Sequence, residues 1–154
     1  MKSYMLSLKE KYFNRILDGS KPFEFRRAFA KSLDEPFIGV IYVSLPIQAV
    51  KGIVLFDKPI KKPIDELLGI ASQAKYPFTK DIEEYFHGKE EGYMLKVKKS
   101  LEFENPIPLK TLQGIYPNFK PPQSFYGLDK DQFVKLRNYI HNHESRFKTT
   151  FRSI

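Results

Sequence analysis

Two apolar runs, FIGVIYVSL (37–45) and AVKGIVLFDKPI (49–60), constrain this chain most, because both are rich in β-branched and aromatic residues along their length. Runs of this kind are strands buried in a core. Pro46 stops the first, and Gly52 inside the second marks a bulge, a bend or the close approach of another group. The chain carries 14 Phe and 9 Tyr but no Trp in 154 residues, so the core around these strands must be rich in aromatics. That length allows one continuous core, and a single domain over residues 1–154 is expected.

The remaining chain reads as a mixture. SYMLSL (3–8) is a strand, and KEKYFNRILDG brings Tyr12, Phe13, Ile16 and Leu17 onto one helical stripe that Gly19 ends. PFEFRRAF has strand period: Phe23 and Phe25 share one face, Glu24 and Arg26 the other. From Pro63 to Gly88 the pattern is helical, first through IDELLGIA and then, after Tyr76-Pro77, from a cap at Thr79 with Ile82, Tyr85 and Phe86 inward. EGYMLKVKKSLEFE returns to strand period, and a short helix falls near 109–115. Asp129 with Gln132 forms a capping-box pattern, after which Phe133, Leu136, Ile140 and Phe147 mark a last helix with Arg137, His141 and Arg146 on its other faces. There is no repeat and no regular βαβ rhythm. The expectation is an α+β fold: a largely antiparallel, strongly curved sheet or small β-barrel with peripheral helices.

Charge narrows the partner. The net charge of +8 favours a polyanion, whose condensed counterions are released on binding. Basic residues outnumber acidic ones 8 to 3 in residues 1–33 and 5 to 1 in 135–154, and are themselves outnumbered 5 to 7 in 61–91. If the two basic ends fold onto one face, they form a nucleic-acid footprint. No Cys is present and the three His are scattered, so thiolate chemistry is excluded, and neither a metal nor a cofactor is expected. No run approaches the roughly 18 apolar residues of a membrane span, and the polar start MKSYMLSLKEKYF is unlike a secretory signal, so no membrane partner and a cytoplasmic location are expected. No GxSxG, GxxxxGK[ST], GxGxxG or HExxH pattern occurs, and in the HNH triplet at 141–143 the two imidazoles of a helix point apart.

The pattern Gly19-x-Lys21-x-x-Glu24-x-Arg26 resembles the signature of the ASCH domains, PUA-like β-barrels associated with RNA and modified nucleotides. Tyr42, Ser44, Pro46 and Gly52 within IYVSLPIQAVKGIVLF are similar to that family's strand, turn and glycine-bearing strand. PPQSFYGL (121–128) resembles the closing segment shared with EVE-type domains. The resemblance implies a cleft at one mouth of the barrel, lined by Lys21, Glu24 and Arg26. Arg27, Tyr42, Ser44, Gln123, Ser124 and Phe125 are the further candidates for contact with a nucleotide. Lys or Arg can hold a phosphate or a base carbonyl, Glu can accept from a base amino group, and an aromatic ring can stack on a base.

Some compact relatives of the family hydrolyse acetylated cytidine, where the resemblance implies a hydroxyl residue three places after the Lys. This chain has Glu24 there, a departure that weighs against the same chemistry. The reading is therefore a non-catalytic domain that recognises RNA or a modified nucleotide or nucleoside, with single-stranded nucleic acid as a further candidate partner. The alternative is a nucleoside amidohydrolase or ribonuclease using Lys21 and Glu24 as catalytic residues. Oligomeric state is left open.

Overall fold

A computed structural model describes residues 1–76 and 79–151. Pro77, the expected separator of two helices, lies outside them.

Chain order is β1 (Ser3–Leu8), α1 (Glu10–Leu17), β2 (Phe23–Arg26), β3 (Phe37–Val43), β4 (Ala49–Phe56), β5 (Ile60–Pro63), α2 (Ile64–Gln73), α3 (Thr79–Tyr85), β6 (Glu91–Pro108), α4 (Leu109–Ile115), β7 (Phe125–Leu128), α5 (Lys130–His143) and α6 (Phe147–Thr150). The described strands join in a seven-stranded sheet of order β2-β6-β4-β3-β1-β7, with β5 also on β6. The sheet curls into a half-barrel with helices around it, as the α+β reading expects. Among the described strands every pairing is antiparallel except β1 with β3, where Ser3 to Leu8 run alongside Ile38 to Val43.

The curl has local causes. β6 is 18 residues long and serves two neighbourhoods. Its first third pairs with β2 and β5, the remainder with β4. Register shifts at Val50/Gly52 and Leu55/Phe56 bend β4 along it. Gly52 sits at the first of these. A Cβ at this position would strike the Leu101 carbonyl oxygen and stand 2.6 Å from the Phe13 ring, so of the alternatives left open by the sequence both the bulge and the close approach are present.

Three apolar clusters flank the sheet. Met5, Val40, Tyr42 and Ile53 pack under α4, α5 and α6, through Leu112, Leu136, Ile140 and Phe147. On the other face Leu6, Ile41, Val43 and Phe56 meet Phe13 and Ile16 of α1, together with Phe29 and Phe37. Phe23 and Phe25 join Leu67, Ala71, Ile82 and Phe86 of α2 and α3. Each fully buried Phe contributes about 1.5–3 kcal/mol, which is why an aromatic-rich chain closes around such a curved sheet.

Four expectations about the elements change. The run 49–60 is two strands: β4 ends at Phe56, the Asp57 side chain takes the Lys58 backbone N–H at 2.8 Å, and β5 begins at Ile60 after Pro59. The strand begun at Glu91 continues through Pro108. Tyr85 is 42% exposed where an inward position was expected. Finally, the last helix stops at His143, and Phe147 belongs to the separate α6. The physical reason is Glu144. Its backbone is extended (φ −133, ψ 102), and its buried carboxylate accepts the Glu104 backbone N–H at 2.8 Å and the Arg146 Nε–H at 3.0 Å. The Asp129–Gln132 capping box is present in both directions, at 2.8 and 3.1 Å. Among the described residues no helix is long and apolar enough to cross a membrane.

Candidate nucleotide pocket

The turn after α1 delivers Lys21 to the pocket. Gly19 takes φ +82, a left-handed conformation that favours glycine, and nothing crowds its missing Cβ, so backbone shape alone calls for it. Ser20 donates its N–H to Asp18 Oδ1 at 2.8 Å, and Lys21 donates its own to the Arg15 carbonyl at 2.9 Å. The chain is thereby folded back against the helix. β2 then alternates as its sequence predicts, but both of its faces are covered: Phe23 and Phe25 pack under α2 and α3, while Glu24 and Arg26 are also buried, at 4% and 5% exposure.

These charges satisfy one another. Lys21 Nζ donates to Glu24 Oε1 at 2.6 Å, and Arg26 Nη2 donates to Glu24 Oε2 at 3.2 Å. Glu24 Oε1 also accepts the Phe25 backbone N–H at 3.0 Å. Burial pushes the Glu24 carboxyl up, but the Lys21 and Arg26 charges and the hydrogen bonds from Lys21 and Phe25 outweigh it, and the net direction is downward. Glu24 is thus ionised, and the trio carries one net positive charge. Lys21 Nζ also lies 4.8 Å from the centre of the Tyr12 ring, a cation–π contact.

Arg26 is largely committed to the fold. Nη2 donates to the Ser7 carbonyl at 2.9 Å, and Nη1 donates to the Ser124 carbonyl at 3.3 Å and to Ser124 Oγ at 3.4 Å. β2 and β7 are the two ends of the sheet order, so this guanidinium ties the β2 end to β1 and to the residue before β7.

The result is a cavity of about 390 Å³. Of the residues expected from sequence, Lys21, Glu24, Arg26, Ser44, Gln123 and Ser124 line it. Three others do not. Tyr42 is 2% exposed and points to the α4–α6 face of the sheet, against Phe119, while Ile41 and Val43 take the opposite side. Phe125 packs on Phe29 with ring centres 4.8 Å apart. The Arg27 side chain reaches out of the pocket to the carbonyls of Tyr85, at 2.6 Å, and His87, at 3.1 Å.

The rest of the wall escaped the sequence reading: Ser7 of β1, Tyr12 of α1, Tyr76, and Asp81 and Tyr85 of α3 also line the cavity. Tyr12 lay on a stripe assigned to the core, and Tyr76 lies between elements where no period applies. Burial first, with the nearby Glu24 and Asp81 charges adding to it and Arg15 opposing it, pushes the Tyr76 hydroxyl up to about 12, so it remains a hydrogen-bond donor at neutral pH. Asp81 stands 3.9 Å from Arg15 at the rim. Among the described residues no cluster of His, Asp and Glu is arranged to hold a metal ion. His143 stacks on Tyr139 while the His141 ring packs at a tilt against Phe147, so the HNH triplet forms no common site.

No protein-family model matches the chain. An ASCH domain-containing ribonuclease of Zymomonas mobilis is 27% identical over 137 residues, covering 88% of this chain and 90% of the relative. The crystal structure of ASCH from Zymomonas mobilis superposes with a TM-score of 0.78 at 26% identity, over 89% of this chain and 94% of that one. The human THYN1 protein, solved in complex with 5-methylcytosine-containing DNA, shares the fold at a TM-score of 0.57 and 11% identity, over 90% of this chain and 97% of its own.

Proposed function

We propose that the chain is an ASCH domain of the PUA-like superfamily and that it binds RNA or a modified nucleotide by admitting one base into the Lys21–Glu24–Arg26 pocket. The observation that carries this reading is the buried trio at the base of a cavity walled by tyrosines. A volume of about 390 Å³ falls within the roughly 300–1,000 Å³ of small-molecule sites.

The roles follow from unused valence. An ammonium has three donors, and Lys21 directs one to Glu24, leaving others for a base carbonyl or a phosphate oxygen. Glu24 Oε2 takes one hydrogen bond from Arg26 and retains a lone pair for a base amino group. Arg26 acts as a positioning residue, since it holds Glu24 and closes the sheet. Tyr85, 42% exposed, offers a ring on which a base stacks, a contribution of about 1–3 kcal/mol per base. The Zymomonas relative's name supports a nucleic acid as the ligand class.

A panel of nucleosides and modified nucleosides screened by thermal melting tests this reading, since a ligand that binds only the native state raises its melting temperature. At least one is expected to stabilise the protein in a concentration-dependent way, and Lys21→Ala is expected to abolish the shift. No stabilisation by any member, or one indifferent to Lys21→Ala, contradicts it.

A second reading, cleavage of RNA with Lys21 and Glu24 as the catalytic pair, is favoured by the ribonuclease name of the Zymomonas relative. Against it, the two cations that hold the Glu24 carboxyl down make it a weak general base. Prolonged incubation with single-stranded RNA separates the two: products that disappear in a Glu24→Gln variant verified as folded establish catalysis, and RNA that is bound yet stays intact supports a reader.

A further inference from the structure

A second recess, of about 470 Å³, lies at the other end of β1 and β7. Ser7 and Ser124 stand at the end of these strands that meets the base pocket. Ser3 and Leu128, paired across the two strands, stand at the far end and line the second recess. Ser3 and Ser7 lie four residues apart on one face, which at about 3.3 Å per residue separates the recesses by roughly 13 Å.

The charge of this recess is one-sided. Lys2, Lys130 and Arg137 line it, against Glu35. Among the described residues none of these three cationic side chains makes a hydrogen bond or an ion pair, and the Arg137 Nε is shielded from solvent with no acceptor. A shielded guanidinium N–H without a partner is unfavourable, and three neighbouring cations repel one another. Both penalties are relieved by a group carrying several anionic oxygens. The recess also draws on both basic ends of the chain, Lys2 from the first and Arg137 of α5 from the last, so the fold brings together charges that are far apart in sequence.

We propose that this recess is a phosphate subsite, in which Lys2, Lys130 and Arg137 hold the backbone of the same single-stranded nucleic acid whose base occupies the first pocket. It rests on the nucleic-acid reading above and adds a second point of attachment, a short length of strand away. The first pocket selects a base; the second contributes affinity independent of sequence, because phosphate contacts position a strand without reading it.

Binding of short labelled oligoribonucleotides, followed by fluorescence anisotropy over a salt series, tests the assignment. Each phosphate neutralised on a single strand adds roughly 0.7 to the slope of log K against log salt. The slope should therefore become shallower by about 1.4 in the Lys2→Ala/Lys130→Ala double variant and by about 0.7 in Arg137→Gln. Thermal stabilisation by a single nucleoside should be unchanged in both. Lys2 and Lys130 are exposed, so the double variant keeps its fold even where Arg137→Gln does not. In the unmodified protein, inorganic pyrophosphate should shift the NMR resonance of the Arg137 Nε–H. Slopes identical to the parent, with oligonucleotide binding still weakened by Lys21→Ala, overturn the subsite and leave the base pocket standing. A resonance indifferent to pyrophosphate also overturns it. A chain that binds neither nucleoside nor oligonucleotide overturns both.

Discussion

Glu24 is the residue on which the pocket turns, and its neutralisation should be felt first as lost stability. Glu24→Gln leaves Lys21 and Arg26 buried without their counter-charge, and breaking a buried ion pair from one side costs about 3–5 kcal/mol. Chemical denaturation measures it. The pH dependence has a definite sign. Because the folded carboxyl titrates below its ordinary value, its stabilisation is complete above the unfolded-chain value of about 4.3 and is lost as pH falls through the lower folded value. Acid unfolding should therefore be less steep in Glu24→Gln than in the parent. Gly52 offers a steric counterpart: Gly52→Ala presses a Cβ into the Leu101 carbonyl and the Phe13 ring, and overpacking of this kind costs about 1–3 kcal/mol. At this scale the sequence was legible where period or spacing spoke. Glu24 and Arg26 share a face because strands alternate, and Gly52 announced a bulge, a bend or a close approach without deciding among them. Tyr12, Tyr76 and Tyr85 were not legible as pocket walls, because an aromatic ring on a core stripe and one on a cavity wall have the same pattern. Tyr42 shows the converse, a motif residue that packs under α4–α6 because its strand points it there.

Among elements, the two informative cases are the cap of α5 and the closure of the sheet. Asp129→Ala removes an N-cap whose side chain accepts the Gln132 N–H and should cost about 1 kcal/mol, read as a lower denaturation midpoint. Arg26→Lys keeps the charge but loses the fork that reaches both Ser7 and Ser124. The expected loss is about 1.5–3 kcal/mol, as for hydrogen bonds from a charged donor. It should appear in hydrogen exchange as faster opening of the Ser7 N–H, which bonds to the Ser124 carbonyl, and of the β1–β7 ladder. Most elements could be placed from capping residues, Gly19 and strand period. The boundaries that moved were those set by side-chain contacts that no period reports: the break after Phe56, where Asp57 takes the Lys58 N–H, and the end of α5, where Glu144 reaches to β6. The parallel pairing of β1 with β3 was also invisible, since alternation reports a face and not a neighbour.

For the whole molecule, the net charge of +8 acquires a location. Two recesses stand at opposite ends of β1, one holding a compensated trio and the other three cations that have no partner among the described residues. On the proposed reading they divide the labour between choosing a base and holding a strand. The most direct measurement is an NMR titration of isotope-labelled protein with the nucleoside that raises the melting temperature most. Saturable shifts centred on Lys21, Glu24, Tyr12, Tyr76 and Ser124 are the predicted result. Shifts that bypass these residues, or resonances at Lys21 and Glu24 that stay fixed while the ligand binds elsewhere, would contradict the account.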